Sequence, residues 1–274
     1  MKELIQTISG FIEEYSAESG VSGGLTAAYI VVCILIVIMA IVCLVMKLII
    51  WIRYARANRQ PISSQMSGMD AARFVLDREG LDYVKVRKAG LIREALFGNY
   101  YNIYTKTIYL RSVLGKIDNK KTVTSTALAV QKAGLASLCE NGDTQAVLRN
   151  RLHLIGVFGP LLFIPLLIGG AVLDFAVLHT DGLVTQGALA LSGLFLLLGF
   201  IVTFLNIPVE KRANEEALQM MRETGLANED ELAVMKKVYD TYIISYICDF
   251  ILELLRIIQW VLEIVMKSQS KNHK

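Results

Sequence analysis

Histidine is scarce in this chain. Three occur in 274 residues, His153, His179 and His273, and no two stand at helical spacing, so no helix can offer a metal ion a pair of imidazoles. For His153 the expected role is interfacial or structural. Cysteine is no richer in chemistry: Cys33, Cys43, Cys139 and Cys248 fall at spacings that make neither a disulfide framework nor a thiolate metal site, and three of them lie inside apolar runs. There is no Gly-x-Ser-x-Gly element and no cysteine with a partnered histidine, which removes the usual signals of nucleophilic catalysis. Ser137 lies five residues beyond Lys132, a spacing that does not set two side chains side by side on a helix. Neither an internal repeat nor a low-complexity tract is visible, and repeats are what a transporter of this size would be expected to carry. A cleavable signal peptide is also excluded, because Glu3, Glu13, Glu14 and Glu18 crowd the start and the following apolar run is too long.

Apolar residues, by contrast, are abundant. They make up 54% of the chain and give a mean hydropathy of +0.48, too high for an ordinary soluble domain of this length. Three runs are long enough to cross a bilayer, Ala27 to Met46, Leu154 to Leu173 and Gly187 to Leu205, the last ending at Asn206-Ile207-Pro208. A fourth, Thr241 to Met266, is interrupted by Asp249, Glu253, Arg256 and Glu263 on one helical stripe. It reads either as a span whose stripe faces protein or as a helix lying at the interface. Self-pairing of Asp249, Glu253 and Arg256 at spacings of four and three explains those charges without an ion pathway.

Arg53, Arg56 and Arg59 follow the first run directly, which places that end in the cytoplasm. The loop 179–186 carries no Lys or Arg, in agreement. A spanning fourth segment, which its length favours, would put the basic tail Lys267, Lys271 and Lys274 outside, and that conflict is the main argument for the interfacial alternative. The expected layout is an extracytoplasmic terminus at 1–26, a first span at 27–52 and a cytoplasmic α+β domain at 53–152. Spans at 153–178 and 186–207 follow, then a cytoplasmic helix at 208–238, a spanning or interfacial helix at 239–266 and a tail at 267–274. The basic residues from Arg53 to Arg151 point to anionic lipid headgroups as neighbours and not to nucleic acid.

Within the cytoplasmic part, Gln60-Pro61-Ile62-Ser63-Ser64 reads as a short linker. Ser67 caps a helix over Met69 to Arg78 that stops at Gly80 and turns Ala72, Val75 and Leu76 to one side. Val84-Lys85-Val86-Arg87 alternates as a half-buried strand, and Asn99 to Leu110 is a second β region with a turn at Thr105-Lys106. After the break at Gly115 to Asn119, a helix spans 122–139. At its centre stands Gln131-Lys132-Ala133-Gly134-Leu135, where the small pair permits another backbone to approach.

Several of these stretches resemble a bacterial family of membrane zinc metallopeptidases, the YugP-like neutral zinc peptidases, related in plan to gluzincin proteases. The likeness runs from about Ser67 to Leu262. It is carried by Met69-Asp70-Ala71-Ala72-Arg73-Phe74-Val75-Leu76, by Asn99-Tyr100-Tyr101-Asn102-Ile103 leading into Tyr109-Leu110-Arg111-Ser112, and by Pro160-Leu161-Leu162. Ile207-Pro208-Val209-Glu210-Lys211-Arg212-Ala213-Asn214 and the turn Ala227 to Leu232 complete it.

The resemblance implies a helical membrane protein with a small α+β cytoplasmic domain on a gluzincin-like scaffold. In the family, His-Glu-Ala-Gly-His supplies two zinc ligands and a general base; the matching places here are Gln131, Lys132 and Leu135. Glu210 stands at the likely third-ligand position. No zinc is expected, and the degenerate site, with Lys132, Glu210, Asn214, Asn99 and Asn102 as its cleft, implies a catalytically inactive binding, scaffold or regulatory protein of the bacterial plasma membrane. Its expected partners are membrane lipids, an active peptidase relative or a membrane protein substrate, and further copies of itself. An active peptidase with an atypical site and a transport component are the alternatives. A carboxylate that has lost a buried metal needs a cation. Two readings of Lys132 follow: it pairs with Glu210, which a separation beyond about 6 Å rejects, or it is a solvated helix residue, the reading the sequence favours.

Overall fold

A computed structural model describes residues 10, 12–18, 20–113, 115–178, 180 and 182–272. His179, His273, Lys274 and Glu3, used above, lie outside the described residues. The chain divides into two compact units, Val45–Ile247, and Met1–Leu44 with Cys248–Lys274. A long helix α1 (Gly23–Ala57) contributes residues 45–57 to the larger unit.

The elements between the first two apolar helices follow the periodicity closely. Helix α2 (Gly68–Arg78) starts where Ser67 accepts the Asp70 N–H, and it buries Ala71, Ala72, Val75 and Leu76. Strand β1 (Lys85–Ala89) begins one residue later than the alternation indicates, because the Val84 N–H is spent on the Leu81 carbonyl and its own carbonyl accepts from Arg73. A short helix α3 (Leu91–Phe97), bracketed by Gly90 and Gly98, has no counterpart in the sequence reading. Seven residues hold too few turns to show a period. Strands β2 (Tyr100–Asn102) and β3 (Thr107–Arg111) then complete a three-stranded sheet of order β1-β3-β2, with β1 parallel and β2 antiparallel to β3. Between β2 and β3, the Asn102 side-chain oxygen Oδ1 accepts the N–H groups of Tyr104 and Thr105 at 2.9 and 3.0 Å, and Lys106 adopts a φ of 45°.

Helix α4 (Val123–Glu140) opens on a reciprocal cap between Thr122 and Ser125 and is buried on nearly every side. Helices α5 (Thr144–Arg151), α6 (His153–Val172) and, after a π-helical stretch Leu173–Leu178, α7 (Leu183–Glu223) follow. The expected boundary near residue 208 is absent: α7 runs through Pro208. A proline removes one helical hydrogen bond and crowds the preceding turn. Here the residues just beyond it, Val209, Ala213 and Ala217, are fully buried in the same core as α4, so tertiary packing carries the helix across. The stretch expected as one helix over 208–238 is instead broken after Glu223. Helix α8 (Glu229–Asn272) restarts at a capping box in which the Asn228 side chain accepts the Glu231 N–H and Glu231 accepts the Asn228 N–H, both at 2.9 Å. The same carboxylate accepts the Ser63 N–H and hydroxyl at 2.7 and 2.8 Å, which pins the 60–64 linker.

Three helices are long and apolar enough to cross a membrane, Gly23–Ala57, Leu161–Leu178 and Leu183–Glu223. They coincide with the three clean apolar runs. Helices α6 and α7 approach closely through small residues: a Cβ on Gly159 would stand 2.7 Å from the Phe195 carbonyl oxygen. In the smaller unit, the polar stripe of α8 finds partners on α1. Tyr29 donates its hydroxyl to Glu263 at 3.0 Å and accepts from Gln259 at 3.2 Å.

Candidate functional site

Gly134 sets the geometry of the site. A Cβ there would lie 2.7 Å from the Ala213 carbonyl oxygen and 3.0 Å from the Ala217 nitrogen, so the backbones of α4 and α7 touch and only glycine fits. The two helices run parallel in a fixed register. Gln131 bonds Glu210 and Ser137 bonds Glu216, each across a separation of 79 residues, and Gly134 against Ala213 falls between them. This register carries Gln131 and Lys132 onto Glu210.

Glu210 has no solvent exposure, and its carboxylate is saturated with donors. The Gln131 amide donates to Oε2, Arg149 Nη2 to Oε1 at 2.7 Å, and Lys132 Nζ stands 3.3 Å from Oε1 and 3.4 Å from Oε2. Lys132 is 7% exposed, which corrects the favoured reading of a solvated helix lysine, and its separation from Glu210 falls well inside the limit set for the pair. Arg149 was not legible as a site residue. In sequence it is one of several basic residues ahead of an apolar run. In the fold, α5 lays it along α7, where Nε donates to Asn206 at 2.7 Å one turn before Glu210.

Burial alone would raise the Glu210 pKa, but Lys132 and Arg149, with the bonds from Lys132 and Gln131, hold it below the usual carboxylate range. For Lys132 burial is the larger influence and pushes the ammonium down, with Arg149 adding to it and Glu210 opposing. Glu210 does not offset that burial in full, because two buried cations share one carboxylate and Arg149 has the shorter contact.

The other expected cleft residues separate. Asn99 lines the cavities around Lys132 and accepts the Arg111 N–H at 2.7 Å. Asn214 is buried one turn beyond Glu210 with its carbonyl oxygen unpartnered among the described residues, but it lines neither cavity. Asn102 serves the β2–β3 turn and lines a different hollow with Arg93 and Tyr104. Ser137, weighed as a partner for Lys132, donates instead to Glu216 at 3.0 Å. His153 stacks on Tyr100 with ring centres 5.8 Å apart, the structural role expected of it.

Zinc does not fit these donors. A catalytic zinc ion takes three deprotonated protein ligands. Leu135 is fully buried and offers none, the Gln131 amide is spent on Glu210, and two cations occupy the ground a dication would need. Among the described residues no group of three or more His, Cys, Asp or Glu side chains could hold a metal ion.

A family model described as "Putative neutral zinc metallopeptidase" matches residues 32–265. Comparison with curated proteins gives no match, and comparison with solved structures gives none.

Proposed function

The chain belongs to the neutral zinc metallopeptidase family, and from that premise we propose that it is a catalytically inactive member that works as a binding or regulatory subunit in a bacterial plasma membrane. One observation carries this reading: the Glu210 carboxylate, at the position of a third zinc ligand, is fully engaged by Gln131, Arg149 and Lys132. Zinc hydrolases need an ion with an open coordination position and a carboxylate base to take a proton from its water. Here a cation replaces the base and an internal ion-pair cluster replaces the metal.

In this reading the α+β part lies in the cytoplasm, as the basic residues after the first apolar helix favour. The scaffold then serves association with an active relative, with a membrane protein substrate or with further copies of the chain. A preserved fold around a neutralised site retains the surfaces that recognise a chain while losing the means to cut it.

The test uses the full chain purified in detergent, with metal content measured by mass spectrometry and cleavage of a casein-like substrate followed with and without chelator. The expected result is substoichiometric zinc and no chelator-sensitive cleavage. Stoichiometric zinc, or cleavage that a chelator abolishes, would overturn the proposal.

A further inference from the structure

Two cavities meet at Lys132. One, of about 210 Å³, is bordered by Asn99, Lys132, Arg149, His153, Asn206 and Glu210; the other, of about 250 Å³, by Tyr54, Asn99, Arg111, Gln131, Lys132 and Tyr242. The polar groups facing this space are mismatched in charge. Arg111, Lys132 and Arg149 border it, and among the described residues Glu210 is the single carboxylate that does. Arg111 is compensated only loosely, its Nε standing 3.9 Å from Glu94, whose carboxylate also accepts the N–H groups of Ser112, Val113 and Gly115.

Donors remain available. Lys132 places both of its contacts, 3.3 and 3.4 Å, on one carboxylate, which leaves ammonium capacity unused. Asn99 uses its carbonyl oxygen on the Arg111 N–H, and its amide donors have no partner among the described residues. His153 Nε2, a further polar atom at the cleft, is buried without a hydrogen-bond partner among the described residues. Net positive charge and idle donors around a half-open cleft call for an anion.

The location narrows the source. Val202 and Asn206, which border the smaller cavity, lie where the apolar run of α7 ends and Lys211-Arg212 begins, and Gly156 and Val157 lie in the first turns of α6. Basic pockets between membrane helices at this level take lipid headgroups. We propose that this cleft binds the phosphate group of an anionic phospholipid, held by Lys132 and Asn99. The phosphodiester of an anionic phospholipid has two non-bridging oxygens that share one negative charge, enough to accept from Lys132 and Asn99 together. The inference rests on the reading that Lys132 and Arg149 fill the zinc position and that α6 and α7 cross a bilayer.

The experiment takes the full chain, stripped of lipid in detergent, into vesicles of phosphatidylcholine alone or mixed with phosphatidylglycerol. Bound lipid is counted by mass spectrometry after extraction, for wild type, Lys132→Met and Asn99→Leu. The expected result is one retained phosphatidylglycerol, preferred over phosphatidylcholine about tenfold, with the preference lost in both variants. Equal retention by wild type and both variants would overturn the site. So would inorganic phosphate binding without phosphatidylglycerol preference, which assigns the anion to solution, or binding of an acetylated dipeptide in place of either phosphate, which assigns it to a peptide carboxylate. Failure to insert into phosphatidylcholine vesicles, or zinc in the same samples, sinks the underlying reading instead and is read out separately.

Discussion

At Glu210 the fold has placed two cations on one carboxylate, and they are not equivalent. Arg149 donates at 2.7 Å and is itself anchored to Asn206, whereas Lys132 reaches the same oxygen only at 3.3 Å and is pushed toward its neutral form mainly by burial. Removing one partner of a buried pair leaves the other uncompensated and costs about 3–5 kcal/mol, while removing a poorly compensated buried charge can cost nothing. Arg149→Met is therefore expected to destabilise the protein by about that amount, and Lys132→Met to be neutral or stabilising by about 1 kcal/mol. Thermal unfolding of both variants in one detergent checks the order; a larger loss for Lys132→Met would show that the lysine is the main counter-ion. Sequence made half of this cluster legible. The five residues at 131–135 and Glu210 stand out against the family pattern, but nothing local distinguishes Arg149 from its basic neighbours, because its role exists only once α5 lies against α7.

Elements were legible wherever a cap or a period spoke. Ser67 and Thr122 open α2 and α4 as side-chain caps do, and the turn before β3 falls at residues suited to it. What sequence could not show was the outcome of tertiary competition: α3 is too short to carry a period, and α7 continues through Pro208 because the core holds the residues beyond it. The parallel contact of α4 with α7 is the clearest example, since it depends on one missing Cβ. Gly134→Ala puts a methyl group 2.7 Å from a carbonyl oxygen that belongs to backbone and cannot rotate away. Overpacking of this kind costs about 1–3 kcal/mol even where alanine is the better helix former. The substitution should lower the unfolding temperature and spread the Gln131–Glu210 contact. Faster amide exchange in α4 and α7 alone would mark the effect as local, and an unchanged melting curve would show that the two helices have room to separate.

For the whole molecule, the apolar and basic patterns make a claim about orientation that neither site chemistry nor helix packing bears on. Three helices have the length and composition to cross a bilayer, and Arg53, Arg56 and Arg59 cluster at one end of the first. Positive residues flanking a span stay on the cytoplasmic side, since translocating them costs energy against the membrane potential. Tyr104, 72% exposed at the β2–β3 turn, belongs to the part that this rule places inside. A cysteine introduced there, Tyr104→Cys, in a background without the four native cysteines, should resist a membrane-impermeant maleimide in intact cells and react after permeabilisation. Labelling of intact cells would invert the orientation. The same result would move the Lys132 cleft to the outer leaflet, and any anionic phospholipid held there would have to come from that side.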